Sequence, residues 1–220
     1  MHIPDGFVNT GTAAVAWVAS AGGLGYAVRR VNQELTERQV PLMGVTAAFI
    51  FAAQMLNFTV AGGTSGHLLG GALAAILLGP WAGMLVLTSV LAVQALLFQD
   101  GGLLALGANI LNMAIVGVLV GWLTYSAVRR LLGDRPVASL AGGFVAGWLS
   151  VFVASLLAAA ELAISGMSPW GLVLPAMGSV HMLIGLGEGL ITMGVLAFLR
   201  AARPDLIALN RPGHTTAGEA

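Results

Sequence analysis

The chain has 220 residues, 58% of them hydrophobic and only 8% charged, with zero formal net charge. A soluble domain carries about 25% charged residues, so this chain lacks the polar surface to face water and belongs in a bilayer. Zero net charge offers nothing to nucleic acid, and the absence of cysteine excludes disulfides, thiolate metal sites and cysteine catalysis.

In chain order, the sequence opens MHIPDG. No basic segment precedes the first apolar run, since the first arginine is Arg29, so no secretory signal is expected. His2 is too bulky for ready methionine removal, so Met1 is expected to be the mature end with a free amine. Apolar runs of membrane length lie at 11–28, 42–60, 67–79, 83–98, 105–127, 137–160 and 173–199. They predict an all-α membrane protein of seven helices. Gln54 and Asn57 sit late in the second. The third opens at His67, after the glycine-rich AGGTSG, and ends at Gly79-Pro80-Trp81. Its ~13 residues give ~20 Å, less than the ~30 Å hydrocarbon core. Gln94 lies late in the fourth, before QDGG. Asn109 and Asn112 open the fifth. ELAISGMSPW reads as the loop after the sixth, leaving Glu188, with His181 in the seventh, as the one acid clearly within a span. Residues 1–203 form the membrane domain, 1–10 its N-terminal plug, and 204–220 a polar, loose tail that includes His214.

All nine basic residues are arginine. Arg29, Arg30 and Arg38 follow the first span, Arg129, Arg130 and Arg135 the fifth, and Arg200, Arg203 and Arg211 the seventh. With seven spans these places share one side. The positive-inside rule makes that side cytoplasmic, with the C-terminus there and Met1 outside.

On this topology the polar side chains within spans all fall in the outer half or near the midplane. Buried polar groups in lipid are costly and mark function. One-sided clustering points to a single cavity opening outward over an apolar floor. Taken singly, the amides read equally as hydrogen-bonding staples between helices. His181 and Glu188, seven apart, share a helix face two turns apart and could join in one hydrogen-bond chain. HExxH and GxSxG are absent, so catalysis has little to stand on.

Met1 and His2 carry a chelate. The α-amine, the His2 backbone amide once deprotonated, and the His2 Nδ1 are three nitrogens in one plane, closing a five- and a six-membered ring. One more ligand completes a square, which suits Ni(II) or Cu(II), with low-spin Co(II) also reasonable. Loss of the amide proton makes affinity fall with acid. His67 is the natural fourth ligand if AGGTSG dips inward along a cavity wall and MHIPDG plugs down to meet it. Pro4 stiffens that plug, and Asp5-Gly6 supports a turn. Alone, His2 also reads as part of an unstructured terminus, and His67 as a structural, hydrogen-bonded residue. Their shared side favours the joint reading.

MHIPDG, GGTSGHLLGG, QDGG and HMLIGLGEGLIT together resemble the CbiM/NikM family over roughly residues 1–200. These are the substrate-capture (S) components of energy-coupling-factor (ECF) transporters for cobalt and nickel, and the chain is most similar to the cobalt side. The resemblance implies a six-helix core plus an additional N-terminal helix, in the cell (inner) membrane. It implies Co(II) or Ni(II) as transported substrate, no organic cofactor, and supply to cobalamin biosynthesis. The metal ligands would be Met1, His2 and His67, supported from behind by candidates Asp5, Asn57, Ser65, Asn109, Asn112, His181 and Glu188. Implied partners are a transmembrane coupling subunit, ABC-type ATPase subunits and a small accessory membrane subunit. The chain has no Walker A motif, so ATP hydrolysis would fall to those partners. Gly44, Ala48 and Ala52, four apart, form a small-residue stripe that would contact the coupling subunit or pack within this one. The alternatives are the nickel-specific counterpart, a metal-dependent intramembrane enzyme, and a passive metal sensor. An enzyme would keep an open coordination position and a base nearby.

Overall fold

The computed structural model describes residues 1–37, 39–60 and 64–208. Arg38, the loop residues 61–63, Arg211, His214 and the rest of the expected tail beyond residue 208 lie outside the described residues.

Seven helices are present among them: α1 Thr10–Glu34, α2 Gln39–Gln54, α3 Gly71–Leu78, α4 Pro80–Leu97, α5 Leu106–Leu132, α6 Pro136–Ile164 and α7 Trp170–Ala202. All but α2 and α3 are long and apolar enough to cross a membrane. Their boundaries follow local chemistry. Asn9 caps α1 by accepting from the Thr12 N–H at 2.8 Å. Pro80 and Pro136 occupy the first turns of α4 and α6, where a missing N–H costs nothing. Arg129 and Arg130 close α5 before Gly133, which adopts φ +72°.

The second expected span is not one helix to residue 60. It stops at Gln54, and Asn57–Val60 (β1) pairs antiparallel with Thr64–His67 (β2), matching Asn57 with His67. Hydropathy scores NFTV like a helix, but its β-branched and aromatic residues fit a strand, and pairing satisfies the backbone groups internally. His67 therefore ends a strand rather than opening a helix. α3 begins only at Gly71, and every one of its eight residues is buried.

α3 is about 12 Å long at 1.5 Å per residue, less than half of a ~30 Å core. Its C-terminal end shares a cavity of about 910 Å³ with Arg30, Gln39 and Arg203. Asp134 contacts both Arg129 and Arg200 at the ends of α5 and α7. The arginine-bearing helix ends thus gather at one end of the bundle, and the β1–β2 hairpin reaches its interior from the other.

Interior faces are built from small residues, as expected where packing rather than water exclusion joins helices. In α6 against α7, a Cβ on Gly147 would meet the Gly189 Cα at 3.1 Å, and one on Gly189 the Phe144 carbonyl at 2.7 Å. α1 turns Ala16, Ser20, Ala27 and Val31 inward, while Val15 and Val18 are exposed, 69% and 75%. The tail begins packed: Ile207 and Ala208 are fully buried, Ile207 against Ala72, Ile76, Tyr125 and Leu196.

Candidate functional site

The first residues are interior. Met1, Ile3 and His67 are fully buried and His2 is 4% exposed. The His2 and His67 rings stack with centroids 4.5 Å apart and planes 23° from parallel.

Three contacts hold the segment down. Asn109 clamps the Ile3 backbone on both sides: its Oδ1 accepts from the Ile3 N–H at 2.8 Å, and its Nδ2 donates to the Ile3 carbonyl at 3.1 Å. The Gly102 N–H donates to the same carbonyl at 2.9 Å. The Asp5 carboxylate accepts from Leu103, Leu104 and Ala105 N–H at 2.8–3.0 Å, just ahead of α5. Asp5 is thus a pin for the plug. The QDGG glycines make room: a Cβ on Gly102 would fall 2.0 Å from the Asp5 Oδ1, and Gly101 has φ +96°.

Hydrogen bonds set the histidine tautomers. His2 Nε2–H donates to Gln94 Oε1 at 3.1 Å, leaving a lone pair on Nδ1. His67 Nδ1–H donates to the Leu68 carbonyl at 2.7 Å, leaving the lone pair on Nε2. Those two lone-pair atoms are buried without hydrogen-bond partners. Asp100 Oδ1 lies 3.3 Å from His2 Nδ1. Burial lowers the Met1 amine from 8.0 to about 4 against the pull of Asp100. Burial, then the amine's charge, lowers His2 to about 3 despite the Gln94 bond. Burial, the amine, His2 and His181 hold His67 well below its ordinary value. All three groups are therefore neutral donors at neutral pH. Among the described residues no set of three His, Cys, Asp or Glu side chains forms a metal cluster. A cation here would need donors from the chain end itself.

The remaining candidates divide. Glu188 accepts from the Leu69 and Gly70 N–H at 2.5 and 2.7 Å, and Gln54 donates to the Leu69 carbonyl at 2.7 Å, so both hold the turn after His67. His181 Nδ1–H donates to the Met177 carbonyl at 2.8 Å. No bond joins His181 to Glu188, so the expected chain between them is absent. Asn112 donates to Glu161 at 2.6 Å. It bonds to α6 from within Ile110–Gly117, which winds as a wider π segment, while Asn109 bonds to the plug. Asn57 is exposed and 3.5 Å from Asp100. Ser65 lies in β2 opposite Thr59; its side chain is outside the described set. Gly44, Ala48 and Ala52 are exposed, opposite the inward Thr46, Ile50 and Gln54 of α2.

Sequence reasoning gave no role to Asp100 or Glu161. Asp100 had a signal, a carboxylate followed by two glycines between apolar runs. ELAISGMSPW reads in the sequence as a loop, but α6 continues to Ile164 and buries Glu161 to 6% exposure. It joins Glu188 as an acid within a span.

The chain matches the family model for the cobalt uptake substrate-specific transmembrane region over residues 2–206. It is 49% identical over 210 residues to the "Putative fused nickel transport protein NikMN" of Archaeoglobus fulgidus, covering 94% of this chain and 68% of that protein. It is 34% identical to the cobalt transport protein CbiM of Sorangium cellulosum, covering 94% of each. A crystal structure of a truncated transition metal transporter superposes with TM-score 0.84 at 35% identity, covering 91% of this chain and 99% of that one. With five helices able to cross a bilayer, this is a multi-pass membrane protein, and the chain belongs to the CbiM family of cobalt uptake substrate-specific transmembrane regions.

Proposed function

We propose that the chain is the metal-capture subunit of an ATP-driven ECF-type importer. It takes Co(II) from outside through the Met1 amine, the His2 amide and Nδ1, and His67 Nε2. The observation that carries this reading is the buried, neutral chain end against His67, with both imidazole lone pairs unengaged. Such a donor set needs only the amide proton removed before four nitrogens surround an ion. Relatives named as cobalt and nickel transport proteins favour a transporter over an enzyme or a passive sensor.

In this reading the seven-helix bundle sits across the membrane, with the short α3 and the β1–β2 hairpin together making one crossing, the N-terminus faces outward, and the arginine end is cytoplasmic. A coupling subunit, ABC-type ATPases and a small accessory membrane protein complete the importer. The exposed Gly44, Ala48 and Ala52 stripe offers the coupling subunit a close approach. Release withdraws the plug from His67; transport that persists with residue 1 covalently locked to the hairpin would exclude that step.

The nickel reading stands second, favoured by the 49% identity to a nickel-named relative against 34% to a cobalt-named one. Metal content after purification with each ion supplied decides between them. The test of the site is one added Ala before Met1, with the new end confirmed by mass spectrometry. It moves the amine out of the chelate, so metal binding and ATP-dependent uptake should collapse. Undiminished capture by the extended chain would overturn the assignment.

A further inference from the structure

Asp5, Glu188 and Glu161 each have a carboxylate engaged by N–H donors: three backbone groups, two backbone groups and the Asn112 side chain, respectively. Asp100 differs. Among the described residues it accepts from no backbone N–H, and its Oδ2 meets the Asn57 amide at 3.5 Å. Its other oxygen, Oδ1, lies 3.3 Å from His2 Nδ1. With the His2 proton on Nε2 for Gln94, Nδ1 offers a lone pair and forms no hydrogen bond. Two acceptors therefore face each other, a buried ring nitrogen and a carboxylate oxygen. They repel in a low-dielectric interior, and positive charge beside them relieves that repulsion.

The backbone accepts strain to hold this carboxylate in place. Gln99, just before it, has φ +54° and is the only non-glycine residue with positive φ among the described residues. A side chain in that region is uncommon and costs conformational energy. The Asp100 N–H donates back to the Gln94 carbonyl at 3.1 Å, so the residue that fixes the His2 proton also carries Asp100. The Asp100 side chain keeps 19% exposure against 2% for His2. It thus links solvent to the buried nitrogens.

We propose that Asp100 is the counter-ion of the loaded site, a carboxylate outside the ligand set that completes the charge balance of the bound dication. This rests on the capture-site reading above. There the amine and both imidazoles are neutral donors, and the deprotonated His2 amide carries one negative charge. A divalent ion on those four nitrogens leaves one positive charge in a buried volume, which is costly without a partner. The Asp100 carboxylate supplies the second negative charge, and the filled site becomes neutral. Among the described residues no three His, Cys, Asp or Glu side chains are placed to hold a metal together, which keeps Asp100 out of the ligand set. It acts through its charge, beside His2, rather than through a bond to the ion.

The test uses the full-length protein in a non-ionic detergent, loaded with Ni(II) or Co(II) alone, as parent, Asp100→Asn and Asp100→Glu. Asparagine keeps the shape and removes the charge; glutamate keeps the charge. Asp100→Asn should weaken both ions about tenfold or more in competition with a coloured chelator, within the 10–100-fold range of groups that support metal ligands. At saturation the visible ligand-field spectrum of its Ni(II) form should match the parent's, since the four nitrogens are unchanged. Asp100→Glu should recover most of the affinity with that same spectrum. If asparagine abolishes binding, recovery by glutamate still assigns the loss to charge. Three results would overturn the proposal. Parent-like affinity in Asp100→Asn denies the charge a role. A displaced ligand-field band at saturation makes Asp100 a ligand. Equal losses in both variants make it a structural residue. Failure of the underlying reading looks different: the chain with Ala before Met1 would bind both ions as the parent does, whatever residue 100 is.

Discussion

At the scale of single residues, the candidate site is organised by groups outside the proposed ligand set. Gln94 fixes the His2 tautomer with one bond. Replacing it with Ala frees the imidazole to protonate on either nitrogen, so half the point of burying the ring is lost. Metal affinity should drop 10–100-fold, as for other partners of ligating histidines, by isothermal titration; an effect below twofold would remove Gln94 from the site. The protonation states give a second expectation. The amine has pKa 8.0 when undocked and about 4 when docked. The docked state therefore binds fewer protons between those values, and docking weakens as pH falls from 8 toward 4. On the proposed ligation, metal binding displaces the amine proton of any undocked end and the His2 amide proton. Affinity should then fall by about tenfold per pH unit for each proton displaced. A Kd flat between pH 8 and 6 would contradict neutral-nitrogen ligation.

At the scale of elements, the plug and the hairpin are separate pieces brought together by others. The QDGG turn accepts the plug because Gly102 has no Cβ to strike Asp5. Gly102→Ala should displace MHIPDG and abolish capture while leaving the helices intact. Normal circular dichroism with lost metal binding is the expected pair of readings; full binding would mean the turn can move aside. The hairpin is fixed from α7. Glu188→Ala removes the acceptor of two buried N–H groups, each costing about 1–3 kcal/mol when left unsatisfied. Thermal unfolding in detergent should shift down clearly, and bound metal should recover part of the loss, because a ligand that binds only the folded state stabilises it. Close α6–α7 packing at Gly147 and Gly189 puts Glu188 in range, so bulk there acts on His67 at a distance.

At the scale of the whole molecule, the arginines gather at one end and the chain end docks toward the other. A reporter fused after residue 208 should be active only in the cytoplasm, and an extracellular reagent should not reach it; the reverse would invert the transport direction. The composition alone decided that this chain lives in lipid, since 8% charge cannot cover a water-facing surface. The spacing of arginines gave an expected polarity, and MHIPDG with the SGH segment marked the nitrogens worth examining. These are one-dimensional properties, summed along the chain and readable from it. What hydropathy could not decide was the conformation of NFTV, because an apolar run reads alike as helix or strand until its backbone partner is known. Nor could it decide that Asp5 pins the plug to the turn ahead of α5, that Asn112 turns to Glu161, or that His181 keeps an unused lone pair. Those depend on which groups from distant positions share a buried volume. In a low-dielectric interior it is the partner, rather than the residue type, that fixes what a polar side chain does.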